Sequence, residues 1–326
     1  MIITVFKSTI LNKAMNIHIC QSVEFEKVKD WSGAIPLTRK RLSIQQLLDS
    51  GELEDDNLDV QLERYIADFD SATQLLARER HVPLDSVPCF SWNVQGHQID
   101  SPCWKTEAIL SRLTLADLYL TRGRSQLPDY KKASSTFASA IQLHQQMMVQ
   151  LDSWKWKMSD HSQFFFQKEW HRSRVSQLEC LRHLAMVSVG LGKSLADKTL
   201  YTVAQRGVAA ATASIAQWPN TAHRLLPLCE YMRYYFSSNM LWENGQYGAS
   251  LHRMEQWLRN KPEPSLFENI NDEMDKVEFL LEERHRTNNG AYFDPVEEST
   301  PLDEPVALLE NIDIQHPTTF VNKTIV

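Results

Sequence analysis

Residues Tyr231–Phe293 read YMRYYFSSNMLWENGQYGASLHRMEQWLRN, then KPEPSL, then FENINDEMDKVEFLLEERHRTNNGAYF. Apolar residues recur here every three or four positions: Met232, Tyr235, Phe236 and Trp242, then Leu251, Met254 and Leu258, then Ile270, Met274, Val277 and Leu281. That period is the mark of amphipathic helices. Asn244-Gly245 supplies the residues that end a helix, and Tyr247-Gly248 opens the next at once. The prolines at 262 and 264 break the second helix from a third, which stops at Asn288-Asn289-Gly290. The chain then reads as extended through Ala291-Tyr292-Phe293. Three helices joined by such short breaks specify a helical stack.

The same period runs back toward the N-terminus. Leu225 to Trp242 forms one long helix. Another carries Leu200, Val203, Val208, Ala211 and Ile215 and ends at Trp218-Pro219-Asn220. Before it comes a helix through Leu178, Leu181, Leu184, Val187 and Leu191. A polar break from Lys155 to Asp160 sits inside an aromatic cluster of Trp154, Trp156, Phe164, Phe165, Phe166 and Trp170. Two more helices carry Ile109, Leu113, Ala116 and Leu120, and Tyr130, Phe137, Ile141, His144 and Leu151. The one strand signal is Pro88–Trp92, turning at Asn93-Val94-Gln95-Gly96 into His97-Gln98-Ile99, which suits a short hairpin. A helix from Asn57 carries Leu58, Leu62, Tyr65, Ile66 and Phe69. A short helix is expected over 43–48, and residues 1–35 carry little pattern. Beyond Asp294 the chain turns acidic, with Pro295, Pro301 and Pro305, and is expected to lie along the outside of the helices. No fixed repeat period of the tetratricopeptide type emerges.

Composition limits the function. The chain has 326 residues, 43% of them hydrophobic and only ten of them glycine, which disfavours folds built on tight turns and phosphate loops. No run of apolar residues is long enough to span a bilayer, and the N-terminus is broken by Lys7 and Lys13 and does not read as a signal peptide. The five cysteines, Cys20, Cys89, Cys103, Cys180 and Cys229, are scattered and form no CxxC; they read as reduced, buried thiols of a cytosolic protein. The net charge of −7 hides a division: residues 104–261 hold 20 Lys/Arg against 11 Asp/Glu, a balance of +9 that leaves −16 elsewhere. A basic middle can meet anionic membrane or acidic helices, or can be plain solvated helix surface.

The sequence offers no catalytic constellation. Gly190-Leu191-Gly192-Lys193-Ser194 ends like a phosphate loop, but the full pattern needs a glycine where Val187 stands, and the context is helical. The eleven histidines form no HExxH. Cys180 and His183 lie one turn apart without a second pair of ligands, so no metal or other cofactor is expected. There is no GxSxG. The aromatics follow core spacing, which argues against nucleic-acid stacking. What remains is surface: Met186–Ala211 has few charges and could offer a groove to a partner's amphipathic helix.

Several blocks, in order, carry a family resemblance: Cys89-Phe90-Ser91-Trp92 followed by WKTEAILSRLTLADLYL, then YKKASSTFASAIQLHQQMM, then NGQYGASLHRMEQWL, then NNGAYF before an acidic, proline-containing stretch. Together they resemble the BRO-one domain of the ALIX- and BROX-like ESCRT-associated adaptors. The resemblance covers roughly residues 36–305, leaving residues 1–35 as an N-terminal segment and 306–326 as a C-terminal tail. It implies a mostly α, curved helical (TPR-like) domain with a small N-terminal β-hairpin. The sequence departs from the family in showing no coiled-coil arm or prenylation box after that domain, so a stand-alone BRO-one domain is expected.

The resemblance further implies a non-enzymatic adaptor or scaffold of endosomal sorting, cytoplasmic and endosome-associated. It would bind the C-terminal amphipathic helix of an ESCRT-III filament subunit. Matching LYTVAQRGVAAATASI onto the family's patch helix puts Thr199 and Val203 at the two aliphatic anchors, with Leu200 as the alternative one residue on and Met186 on the preceding helix. Thr199 is polar where the family prefers an aliphatic residue. An alternative reading is a scaffold of the same fold whose groove serves another partner, in pH-response or small-GTPase signalling.

Overall fold

The computed structural model describes residues 34–50, 56–75, 93–94, 97–98, 104–127, 129–153, 164–219, 225–259, 261–262, 265 and 267–296. Nine α-helices are described: α1 (Ala34–Ser50), α2 (Asp56–Gln74), α3 (Trp104–Ser125), α4 (Tyr130–Ser153), α5 (Lys168–Gly192), α6 (Asp197–Gln217), α7 (Leu225–Glu243), α8 (Tyr247–Arg259) and α9 (Glu268–Thr287). Two two-residue strands, β1 (Asn93–Val94) and β2 (His97–Gln98), pair antiparallel with Asn93 opposite Gln98 and Val94 opposite His97. They lie where the strand signal placed a hairpin; its flanks, residues 88–92, 95–96 and 99, are outside the described residues, as are Trp154, Trp156, Cys20, Cys89 and Cys103. The acidic, proline-containing stretch from residue 297 on is also outside them.

From α3 to α8 each helix packs mainly on its neighbours in sequence, while α9 packs on both α8 and α5. Three of the turns are very short, so successive helices run antiparallel. The turn after α7 uses Gly245 at φ +76, a conformation that costs a residue with a Cβ but not glycine. The turn after α5 is the Gly-Leu-Gly-Lys-Ser stretch. There the Leu195 N–H donates to the Gly190 carbonyl at 2.9 Å around a left-handed Ser194 at φ 52. This is a helix C-terminal motif and not a phosphate loop.

Serine pairs draw the antiparallel neighbours together twice. Ser173 of α5 and Ser214 of α6 each donate to the other's carbonyl oxygen at 3.0 Å, with their hydroxyls 2.9 Å apart. Ser238 of α7 and Ser250 of α8 repeat the arrangement at 3.0 and 2.9 Å. Small side chains that satisfy their hydroxyls on the facing backbone allow close helix approach without a buried unpaired donor.

Helix α3 is buried along 17 of its 22 residues, so it is the central helix, not an amphipathic surface one. One side joins a core with α1 and α2, where Phe69 stacks on Trp104 at 4.3 Å. Another meets Met147, Leu151, Phe165, Phe166 and Trp170. The largest core fills α4–α9 around Phe137, Leu184, Met232, Phe236 and Met274. Burial on all sides forces the polar residues of α3 inward, where they need partners. Glu107 accepts from Arg41 Nε of α1 at 2.9 Å and from the Tyr65 hydroxyl of α2 at 2.6 Å.

Two expectations are corrected. The first helix spans 34–50 and not only 43–48. Leu37, Arg41 and Ile44, spaced 4 and 3 apart, point into the core as one face, and the charge on Arg41 hides the pattern from a hydrophobic reading. The second concerns Ala291-Tyr292-Phe293. The chain continues as a wide helical turn over Asn288–Tyr292, and Phe293 is left-handed at φ 57. The buried Asn288 causes this. Its amide donates to the Asp294 carbonyl at 2.7 Å and its oxygen accepts from the Asp294 N–H at 3.1 Å, folding the chain back. Asp294 then accepts from the Gly248 N–H at 2.8 Å, capping α8. Tyr292 stacks on Tyr247 at 3.8 Å. The two motifs NGQYG and NNGAYF therefore meet in space.

Candidate functional site

The α5–α6 hairpin gathers the four residues singled out in the sequence, but gives them different exposures. Thr199 lies in the first turn of α6 and is exposed. Leu200, one residue on, is rotated inward and only 2% exposed. It fills the space beside Gly190: a Cβ there would stand 2.3 Å from Leu200 Cδ2. Val203 is 6% exposed, and Met186 of α5 is half-buried against the main core. The outward members of the set are thus Thr199 and Met186, with Val203 at the floor.

Charged groups on the same hairpin were not singled out in the sequence. Arg182 stands one turn before Met186, and Arg206 about one turn after Val203. Both press on His183, whose imidazole is held below its ordinary pKa by burial first and then by these two cations. The spacing of Arg182 four residues before Met186 was a legible signal. His183 Nδ1 donates to the Glu179 carbonyl at 2.7 Å, within its own helix. Cys180 turns the other way, its sulfur 3.4 Å from that of Cys229 on α7. The two residues therefore do not form a metal pair. Among the described residues no group of three or more His, Cys, Asp or Glu could hold a metal ion. No described helix is long and apolar enough to cross a membrane.

A second set of unusual groups lies inside the stack between α3, α4 and α5. His171 Nε2 meets the Phe165 carbonyl at 2.8 Å, so that nitrogen carries the proton of the neutral ring. Its Nδ1 is then the acceptor for His144 Nδ1–H at 2.9 Å. Burial depresses both imidazoles, that of His171 to about 4, and the Arg174 cation pushes the same way. Arg174 reaches Asp117 at 3.3 Å and Gln177 at 2.7 Å. Burial raises Asp117 to about 6 despite that cation. These groups lie in the interior, within the helix–helix contacts.

Stability should fall as the pH drops from 6.5 toward about 4. The folded state holds His144 and His171 neutral, so their contribution is present above 6.5 and is lost as the unfolded chain takes up protons that the fold refuses. Asp117 acts in the opposite sense below about 6, where the folded state takes the proton first. Two depressed imidazoles outweigh one raised carboxyl. Urea unfolding across this range checks it; a chain more stable at the acid end would assign control to Asp117.

No family model matches the sequence, and no curated protein is similar to it at the level of sequence. The similarity is in three dimensions. An ALIX BRO1–CHMP4C complex contains a chain that superposes with a TM-score of 0.62 at 13% identity, covering 88% of this chain and 92% of that one. The fold is that of a BRO1 domain. A structure described as the basis for endosomal targeting by the Bro1 domain gives a TM-score of 0.60 at 13% identity, over 91% of this chain and 86% of that one. ALIX in complex with the SIVmac239 PYKEVTEDL late domain gives 0.64 at 12% identity. There the match covers 88% of this chain but only 47% of the ALIX chain, so this chain spans about half of that longer protein. At such identities the likeness establishes the BRO1 fold alone. It agrees with the mostly α class and with the family likeness of the sequence blocks.

Proposed function

We propose that this BRO1-fold chain is a non-enzymatic adaptor of ESCRT type, acting in endosomal sorting. It takes the C-terminal amphipathic helix of an ESCRT-III filament subunit on the α5–α6 face. The observation that carries the reading is the near-complete superposition on the BRO1 domain of the ALIX–CHMP4C complex. Met186 and Thr199 are the residues that touch the partner helix, Val203 forms the floor, and Leu200 holds α6 against Gly190 from inside. The basic middle of the chain assists approach to anionic membrane, which suits a cytoplasmic protein recruited to endosomes.

The burial of Leu200 and Val203 decides how the site is tested. Aspartate at either position would place a charge in the core and disturb the fold itself. Met186→Asp with Thr199→Asp acts on the surface instead. Titration with the C-terminal helix of an ESCRT-III filament subunit should show binding that this double variant weakens by about tenfold or more, roughly 1.4 kcal/mol. The far-UV dichroism should not change. Equal binding by the double variant would move the site elsewhere. No binding by the folded wild-type chain would direct the search to other helical ligands, a reading that the polar Thr199 favours.

A further inference from the structure

The turn between α5 and α6 carries a leucine that the end of α5 does not cover. The Ser194 N–H donates to the Leu191 carbonyl at 3.0 Å and the Leu195 N–H to the Gly190 carbonyl at 2.9 Å. In this helix C-terminal motif the residue at the Leu195 position commonly packs on the side chain at the Gly190 position. Glycine offers none. A Cβ at 190 would stand 2.3 Å from Leu200 Cδ2 and 3.3 Å from Leu195 Cδ1, so the two leucines close over the glycine, one from α6 and one from the turn. Leu200 is buried there, whereas Leu195 keeps 47% of its surface in water. Ser194 beside it is left-handed at φ 52, a conformation that a residue with a Cβ adopts at some cost.

Gly190 lies four residues after Met186, so the two share one side of α5. Four residues of rise place Leu195, over Gly190, about 6 Å along α5 from the half-buried Met186. The same step separates residues four apart on any helix laid along α5. Leu195 thus supplies an aliphatic contact that the polar Thr199 does not. Lys193 and Lys198 flank the turn; both are exposed and neither makes an ion pair. The one carboxylate of the turn, Asp197, is half-buried. We propose that Leu195 is the outer anchor of the α5–α6 face. With Met186 it takes two apolar residues four apart on a partner's amphipathic helix, and Lys193 and Lys198 receive acidic residues beside them. This rests on the reading of that face as the seat of an ESCRT-III helix, and it names what the helix must carry. A membrane is the weaker fit, because one leucine and two lysines fall short of the two signals that stable attachment needs.

The test titrates the full chain with a labelled C-terminal helix of an ESCRT-III filament subunit, read by anisotropy at low and high salt. Leu195→Ser should weaken binding about tenfold with unchanged far-UV dichroism. Leu195→Met stays apolar and should bind within about twofold of wild type. Lys193→Glu with Lys198→Glu should weaken binding and remove most of its salt dependence. Phe279→Ser removes a 67% exposed apolar side chain from α9 and should bind as wild type does. Wild-type binding that Leu195→Ser leaves unchanged overturns this proposal while the α5–α6 reading stands. An equal loss in Leu195→Met or in Phe279→Ser also overturns it, assigning the effect to the shape of the turn or to general apolar adhesion. No binding by the folded wild-type chain overturns both readings. Capture by phosphatidylserine vesicles that needs Leu195, without helix binding, overturns the proposal and makes the turn a lipid contact.

Discussion

Glu107→Leu should lower the unfolding free energy by about 3–5 kcal/mol, the range for removing one partner of a buried ion pair. Glu107 is fully buried and accepts hydrogen bonds from two other helices, Arg41 of α1 and Tyr65 of α2. The leucine fits the volume but takes away the carboxylate that matches the buried Arg41 charge, and it leaves the Tyr65 hydroxyl without this acceptor. The loss should appear in urea unfolding as a lower midpoint. Glu107→Gln keeps an acceptor and should lose less. A Glu107→Leu loss within about 1 kcal/mol would mean that apolar packing, and not this network, fixes α1 and α2 on the central helix.

Gly248→Ala should cost about 3 kcal/mol, at the upper end for inserting one carbon into a packed site. A Cβ at 248 would stand 1.8 Å from the Pro295 carbonyl oxygen and 2.6 Å from its carbon, and these are backbone atoms that cannot rotate aside. The segment after Asn288 must therefore lift from α8. That removes the Asp294 cap on the Gly248 N–H and unstacks Tyr292 from Tyr247. Trp242 is edge-on to both tyrosines, so its fluorescence should change with the loss of stability. Asp294→Ala removes the same cap, and the double variant should lose less than the two single effects added together, because the sites share one contact. Full additivity with unchanged Trp242 emission would mean that the segment stays seated.

Much of the fold was legible because helices are written locally. Residues three and four apart share a face, so Met232, Tyr235 and Phe236, or Ile270, Met274 and Val277, announce both a helix and its buried side. Helix stops are local too: Asn244-Gly245 ends α7, with Gly245 in the left-handed region. Four ordered blocks were enough to indicate the BRO1 fold that the superpositions share.

The candidate site was less legible. Thr199 and Leu200 are chain neighbours, yet one is exposed and the other lies in the core, because a single residue turns about 100° round the helix. Helical spacing tolerates that error, and only the neighbouring α5, with Gly190 opposite Leu200, settles the register.

The sequence by itself determined where the helices run, where they stop and which stripe of each is apolar. Only the tertiary structure decided which polar residues go inside and whom they meet. Glu107 lies 66 residues from Arg41, Ser173 lies 41 from Ser214, and Asp294 reaches back 46 to Gly248. The period of a helix depends on backbone geometry within a few residues. A buried charge or hydroxyl is tolerated only when a distant partner arrives to satisfy it, and no local pattern records that partner.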